Sequence, residues 1–439
     1  MSTDYKFETL CLHAGQTPDP TTNARAVPTH RTAAYVFGST AHAADLFSLK
    51  EPGNIYTRIM NPTQDQLETT LAALEGGAAA LALSSGTSAV YYAIINICSS
   101  GDEIVSANNL YGGTYTMFDA ILPQFGIHTR FVDPRDPQNF EPAITERTRA
   151  VYIEAIGNPV LEVTDIQAIA DIAHAHNLPL IVDATFTTPF LLRSIDHGAD
   201  IVVHSLTKWI GGHGTGIGGA VVDAGRFNWQ DPKFKLYNEP DPSYHDLRFA
   251  HDLGDLNPMA FIMRLRLVPL RNLGACIAPD NAWLFLQGLE TLPLRMERHS
   301  KNALQVAEYL KDHPNVAWVR YPGLPDDPAH PTAIKYLKKG FGGMVVFGIK
   351  GGFDAGHRFV DKLKLFSHLA NVGDAKSLVI HPSSTSHSQL SEEDQKASGL
   401  TPDLIRLSIG IEHIDDIIAD LQQAFIAPTL VNMASNRSA

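Results

Sequence analysis

Leu180-Ile181-Val182-Asp183-Ala184-Thr185-Phe186 and Ile201-Val202-Val203-His204-Ser205-Leu206-Thr207-Lys208 are short, continuous apolar runs that each end in polar side chains. Runs of this length, apolar without alternation, read as strands covered on both faces. Just upstream, Ile166, Ile169, Ala170 and Ala173 recur at helical spacing, with Thr164 or Asp165 placed to cap and His176-Asn177-Leu178-Pro179 to stop the helix. Outward from there, LALS, EIVS, IHTRFV, AVYIEAI and GGAVVD alternate with helical stretches from about Leu81 to Val222. Strands separated by helices predict an α/β fold with a mainly parallel sheet.

Beyond about residue 270 the pattern changes. Helices over Asn281 to Leu289 and Ser300 to Leu310 precede strands at VAWVRY and GGMVVFGI, a helix from Asp354 and a last helix after Glu412. This predicts a smaller α+β C-terminal domain. Residues 1–60 show little periodicity and read as an extended arm that needs a surface to lie on. The expected division is an arm over 1–60, a large domain over 61–270 and the C-terminal domain over 271–439. Phe227 to Pro258, aromatic and proline-spotted, reads as a long loop or insertion.

The 439 residues carry 34 Lys and Arg against 47 Asp and Glu, a formal charge of −13, and no dense basic run, which argues against a nucleic-acid partner. With 44% hydrophobic and 18% charged residues the chain is of the globular class. Cys11, Cys98 and Cys276 form no CxxC pair, and the N-terminus lacks a basic lead into an apolar run; a cytoplasmic protein is expected. Gly76 to Gly101 is uncharged and long enough to cross a bilayer, but its serines and glycines divide it into strand, turn and helix, so no membrane span is expected.

Four segments follow predicted strands, at the edge where open parallel sheets bind ligands. Ser84-Ser85-Gly86-Thr87-Ser88 opens a helix whose free N–H groups suit a phosphate, although an ordinary capped helix start has the same pattern. Asp183 needs a cation or proton donor if buried, or is a carboxylate folded onto a turn. Lys208 is in isolation most simply a solvated lysine, but stands beside two hydroxyls and a glycine-rich run. Gly214, Gly216 and Gly219 satisfy GxGxxG yet lead into a strand, which excludes a dinucleotide site. There is no phosphate-binding GxxxxGK[ST] loop, and no HExxH to suggest metal. A phosphate cradle, a carboxylate and a lysine on one edge suit pyridoxal 5'-phosphate (PLP), whose aldehyde, ring nitrogen and phosphate call for those three partners. Arg406 in LIRLSIGIE is a candidate for gripping a substrate carboxylate, or a structural salt bridge.

With YTRIMNPT (56–63), SSGTSA (84–89), NLYGGT (109–114), HSLTKWIGGHG (204–214) and NVGDAKSLVIHPSSTSH (371–387) in this order, the chain resembles the Cys/Met-metabolism family of PLP-dependent enzymes over nearly its whole length, and within it the sulfhydrylase branch. The resemblance implies the aspartate-aminotransferase-like fold type I of PLP-dependent transferases. It makes Lys208 the Schiff-base lysine and Asp183 the partner of the pyridine nitrogen. Gly86, Thr87, Ser205 and Thr207 hold the phosphate, joined by Tyr56 and Arg58 of a neighbouring chain in a homotetramer built from dimers. Tyr111 stacks on the ring and assists proton transfer, Asn158 touches the ring's hydroxyl side, and Arg406 with Asn371 binds the substrate carboxylate. The implied reaction is replacement at Cγ of O-acetyl-L-homoserine by sulfide or a thiol. Cystathionine γ-synthase or methionine γ-lyase activity is the alternative within the same chemistry, and a catalytically silent scaffold the alternative outside it. Two departures stand out: Ala184 replaces a common asparagine, and Asn371 a common serine. Gly113 stands where methionine γ-lyases carry a cysteine, and the long 227–275 segment is like the sulfhydrylase branch.

Overall fold

The computed structural model of the chain describes residues 5–385 and 400–426. The last two residues of the 371–387 motif, Ser386 and His387, and the extreme ends of the arm and of the C-terminal segment lie outside them.

The strands of the larger sheet are β1 (Ala79–Leu83), β2 (Glu103–Ala107), β3 (His128–Val132), β4 (Thr148–Glu154), β5 (Leu180–Asp183), β6 (Ile201–Ser205) and β7 (Gly219–Asp223), in the order β1-β7-β6-β5-β4-β2-β3. Only β7 runs against the rest: it pairs antiparallel with β6 and with β1, and the other pairs are parallel. The connection from β6 to β7 is the glycine-rich loop, with no helix to carry the chain back, so β7 returns antiparallel. Six strands therefore end at one edge of the sheet. The GxGxxG run enters β7 and precedes no helix.

Caps follow the sequence. Asp165 accepts the Ala168 N–H at the start of helix Ile166–Ala175, and Ser85 accepts the Ser88 N–H at 3.0 Å at the start of helix Gly86–Ile95. The uncharged stretch from Gly76 resolves into a left-handed glycine (φ 75°), strand β1 and that helix. Among the described residues no helix is long and apolar enough to cross a membrane.

The first sixty residues are not wholly extended: helices Phe7–His13 and Thr40–Phe47 form there, too short for their periodicity to stand out. Phe7–His13 is tied to helix Pro62–Glu75, where Gln66 and Thr70 donate to the Ala14 carbonyl. The stretch from 227 to 258 is irregular in backbone but inserts a packed aromatic group, Trp229, Phe234, Tyr237 and Phe249, into the main core. Trp229 stacks on Tyr237 at 4.4 Å, and the Tyr237 hydroxyl accepts Asn96 Nδ2.

The second sheet has the order β10-β11-β12-β9-β8, with β8 Val316–Arg320, β9 Met344–Ile349, β10 Ser367–His368, β11 Leu378–Ile380 and β12 Leu404–Ser408. Val345, Phe347, Ile405 and Leu407 meet Ile417 and Leu421 of helix Ile414–Phe425 in a core of their own. Helix Leu292–Lys311 serves both cores: Leu292 and Met296 pack in the first, Val306 and Leu310 in the second.

One buried polar pair links the helix layer to the sheet edge. Glu75 Oε1 lies 2.6 Å from His204 Nε2, and both side chains are fully buried. Removing one partner leaves the other desolvated and unpaired. Glu75→Ala is expected to lower the unfolding free energy by about 3 kcal/mol, measured by urea denaturation of the cofactor-free chain; an unchanged midpoint would show the pair to be dispensable.

Candidate active site

The carboxyl ends of β1, β4, β5 and β6, with the loop after β2, assemble the candidate residues. Gly86 sits in the first turn of its helix, against β6: a Cβ there would lie 2.5 Å from Ser205 Cβ and 2.9 Å from Ser205 Cα. Only glycine permits that approach. The hydroxyl of Ser85 is taken by Ser88, and the first-turn amides of Gly86 and Thr87 have no carbonyl within the helix to receive them. Free first-turn amides of this kind suit an anion. Thr207 Oγ1 accepts the Gly218 N–H at 3.1 Å and so closes the glycine loop.

Lys208 Nζ donates to Asn371 Oδ1 at 2.5 Å. Burial, and then the nearby Arg406 charge, bring its ammonium pKa down from 10.5 to about 8. Arg406, on β12 and 8% exposed, donates from Nη1 to Asn158 Oδ1 at 3.2 Å. Burial lowers the guanidinium pKa to about 10, so it stays charged at neutral pH. These two contacts bring residues of the second sheet and its connections onto the first sheet's edge.

Asp183 ends β5. Its Oδ1 accepts the Thr185 N–H at 2.9 Å, and Oδ2 faces the Tyr152 hydroxyl at 3.4 Å. Desolvation raises its carboxyl pKa, with the Thr185 hydrogen bonds and the charge of His204 acting in the other direction. A cation placed beside this carboxylate would favour its charged form against that desolvation. Tyr111 is 54% exposed, and its ring folds over Gly113, where a Cβ would lie 2.5 Å from Tyr111 Cε1.

Tyr56 and Arg58 stand apart. The Arg58 guanidinium lies 5.3 Å over the Tyr56 ring, Tyr56 is 42% exposed, and Arg58 Nε is buried with no hydrogen-bond partner. Among the described residues of one chain, no hydrogen bond or ion pair joins either to Gly86, Ser205 or Lys208.

Sequence reasoning missed two residues. Glu154, at the end of β4, accepts the Tyr111 N–H on Oε1 at 2.6 Å; an acid closing the apolar run AVYIE was a signal of the same kind as Asp183. Arg295, buried in helix Leu292–Lys311, donates to the carbonyls of Trp209 (2.6 Å), Ile210 (3.0 Å) and Gly288 (2.6 Å), fixing the backbone that follows Lys208. Nothing in LPLRMERHSK distinguishes that arginine from its neighbours.

These residues fit PLP: unpartnered helix amides walled by Ser205, a carboxylate in need of a cation, and an amine of lowered proton affinity. A family model described as Cys/Met metabolism PLP-dependent enzyme matches residues 8–426. The chain is 54% identical over 430 residues to the O-acetyl-L-homoserine sulfhydrylase of Leptospira meyeri, covering 97% of each. It is 54% identical over 421 residues to the homocysteine synthase of Schizosaccharomyces pombe, covering 95% of this chain and 97% of that one. The crystal structure of metY from Campylobacter jejuni, which holds N'-pyridoxyl-lysine-5'-monophosphate, superposes with a TM-score of 0.92 at 44% identity over 96% of this chain and 99% of that one.

A lysine with a depressed pKa penalises the folded state as long as the unfolded chain would be protonated there. The penalty is full below about pH 8 and fades as pH rises to 10.5, where both states lose the proton. Cofactor-free Lys208→Met is therefore expected to gain stability over the native chain at neutral pH, by up to about 3 kcal/mol, and to lose most of that gain by about pH 11. Paired denaturation curves at the two pH values measure the change; a pH-independent difference would place Lys208 in ordinary solvent.

Proposed function

Because the chain belongs to the Cys/Met-metabolism family of PLP-dependent enzymes, we propose that it catalyses γ-replacement, converting O-acetyl-L-homoserine and sulfide to L-homocysteine and acetate. The observation that carries this reading is the end-to-end identity of 54% with an O-acetyl-L-homoserine sulfhydrylase. The site supplies the means. PLP, when bound, provides an electron sink conjugated to the substrate's α-amino group.

The chain's own residues do the rest. The Gly86 and Thr87 amides and the Ser205 and Thr207 hydroxyls would hold the phosphate, and Asp183 would keep a proton on the pyridine nitrogen. Asn158 would meet the hydroxyl of the cofactor ring, and its Oδ1 holds Arg406 in place. Arg406 takes the substrate carboxylate through two parallel hydrogen bonds in a poorly hydrated space. Lys208 removes the Cα proton as a neutral amine. In the cofactor-free chain its pKa of about 8 rather than 10.5 leaves about a tenth of it neutral at pH 7, against roughly three parts in ten thousand for an ordinary lysine. Asn371 holds the lysine nitrogen in place beside the substrate carboxylate. Tyr111 would cover the ring and assist proton transfer while acetate leaves Cγ and sulfide adds. The bond from Cγ to oxygen breaks, the bond from Cγ to sulfur forms, and the proton count closes on acetic acid. Gly113 places no thiol beside Tyr111, which sets the site apart from methionine γ-lyases.

The active unit we propose is a dimer sharing its sites, paired into a homotetramer, with Tyr56 and Arg58 completing the phosphate site of the neighbouring chain. The exposed Tyr56 ring and the unpartnered Arg58 Nε support it. The cytoplasm is the proposed compartment, supported by three free cysteines.

Product analysis with sulfide, cysteine and methanethiol tests the reaction. Homocysteine is expected to form fastest, and faster turnover with cysteine would overturn the assignment in favour of cystathionine γ-synthase. Arg406→Leu is expected to raise KM for the ester on the order of 100-fold. Sharing of sites has its own test: Arg58→Ala and Lys208→Ala, each inactive alone, should on mixing regain about a quarter of the native rate, since half the random dimers are hybrids with one intact site.

A further inference from the structure

Two carboxyl groups end neighbouring strands at this edge, and the reaction above uses one of them. Glu154 on β4 stands in register with Asp183 on β5 and is 6% exposed. Its Oε1 receives the backbone N–H of Tyr111 at 2.6 Å, which ties the end of β4 to the loop leaving β2. A second tie joins the same two segments, from the Asn158 N–H to the Asn109 carbonyl at 3.1 Å. Tyr111 has little packing to hold an exposed ring, so the anchoring of its backbone determines where the phenol stands.

We propose that Glu154 is the positioning residue for Tyr111, setting through the backbone amide the height of the phenol over the Lys208 site. The inference rests on the proposed role of Tyr111. The groups facing Glu154 are Asp183 on β5, Tyr152 on its own strand and the Tyr111 loop. Burial, and then the charge of Asp183, push the Glu154 carboxyl well above the usual carboxylate range. Both causes favour the protonated form of Glu154 over its carboxylate. A neutral acid that serves as an acceptor has a close mimic in glutamine.

Glu154→Gln and Glu154→Ala, each in the native and in the Tyr111→Phe background, separate this role from a general structural one. In the cofactor-free protein, amide hydrogen exchange at residue 111 is expected to accelerate at least about tenfold in Glu154→Ala and to stay near native in Glu154→Gln. In the loaded enzyme, Glu154→Ala is expected to lower kcat about tenfold when Tyr111 is present, and less than about twofold once its hydroxyl is gone, with Glu154→Gln restoring the rate. Should Glu154→Ala fail to fold, Glu154→Met fills the volume without an acceptor and takes its place. Unchanged exchange at residue 111, equal loss of kcat in both backgrounds, or glutamine as damaging as alanine would overturn the proposal. Failure of the sulfhydrylase reading looks different: the native chain would release no homocysteine, while exchange at residue 111 would still report on Glu154.

Discussion

Lys208 and Arg406 are two cationic groups drawn into one poorly hydrated space, and most of the architecture near them is explained by what that arrangement demands. A lysine beside a guanidinium and away from water gives up its proton more readily, and a guanidinium with its very high intrinsic pKa does not. The same surroundings therefore leave one of two residues of like sign easier to deprotonate and the other a permanent cation. Neither belongs to the other's sheet. Lys208 follows β6 of the large sheet, and Arg406 lies on β12 of the small one. The chemistry depends on the two units being held in register.

That register is kept by polar ties of opposite character. Asn371 from the small-sheet side meets Lys208, and Asn158 from the large-sheet side meets Arg406, each with a carbonyl oxygen, a neutral acceptor that orients charge without cancelling it. A carboxylate in either place would raise the lysine's pKa again. Behind Lys208, Arg295 turns its guanidinium to three backbone carbonyls. Its partners are peptide groups, so the backbone is fixed with no anion brought near the site. The acids of the strand ends, Asp183 and Glu154, both have their carboxyl pKa raised, first by burial, and for Glu154 also by the charge of Asp183.

Much of this was legible before any coordinates. Continuous apolar runs with helices between them dictate a parallel sheet, and a polar residue that closes such a run must stand at the sheet's edge; Asp183, Ser205 and Lys208 were found on that argument. Strand direction leaves no mark in periodicity, so the antiparallel sense of β7 was hidden, although the absence of a helix between Lys208 and Gly219 carried the hint. The 227–258 stretch reads as a loop or insertion because it lacks period, and without period the burial of its aromatic residues could not be placed. Asn371 and Lys208 are 163 residues apart, and only the closed fold brings them together. Tyr56 and Arg58 were named through family resemblance alone, since residues that serve a neighbouring chain leave no pattern within their own.

The glycines of the edge show how closely backbone position and chemistry are joined. At Gly86 a side chain would strike Ser205, at Gly219 it would come within 2.1 Å of the Ser85 carbonyl oxygen, and at Gly373 within 2.5 Å of the Trp209 nitrogen. All three are contacts with the backbone or Cβ of a segment that carries a proposed ligand, so no side-chain rotation relieves them. The first brings the helix start against β6 and the second brings it against β7, which concentrates amide dipoles where the phosphate is proposed to sit. The third lets the segment of Asn371 descend onto the lysine's own backbone. A site that relies on peptide groups to hold an anion needs those groups closer together than side chains permit, and absent Cβ atoms are the only means the polypeptide has to bring them there.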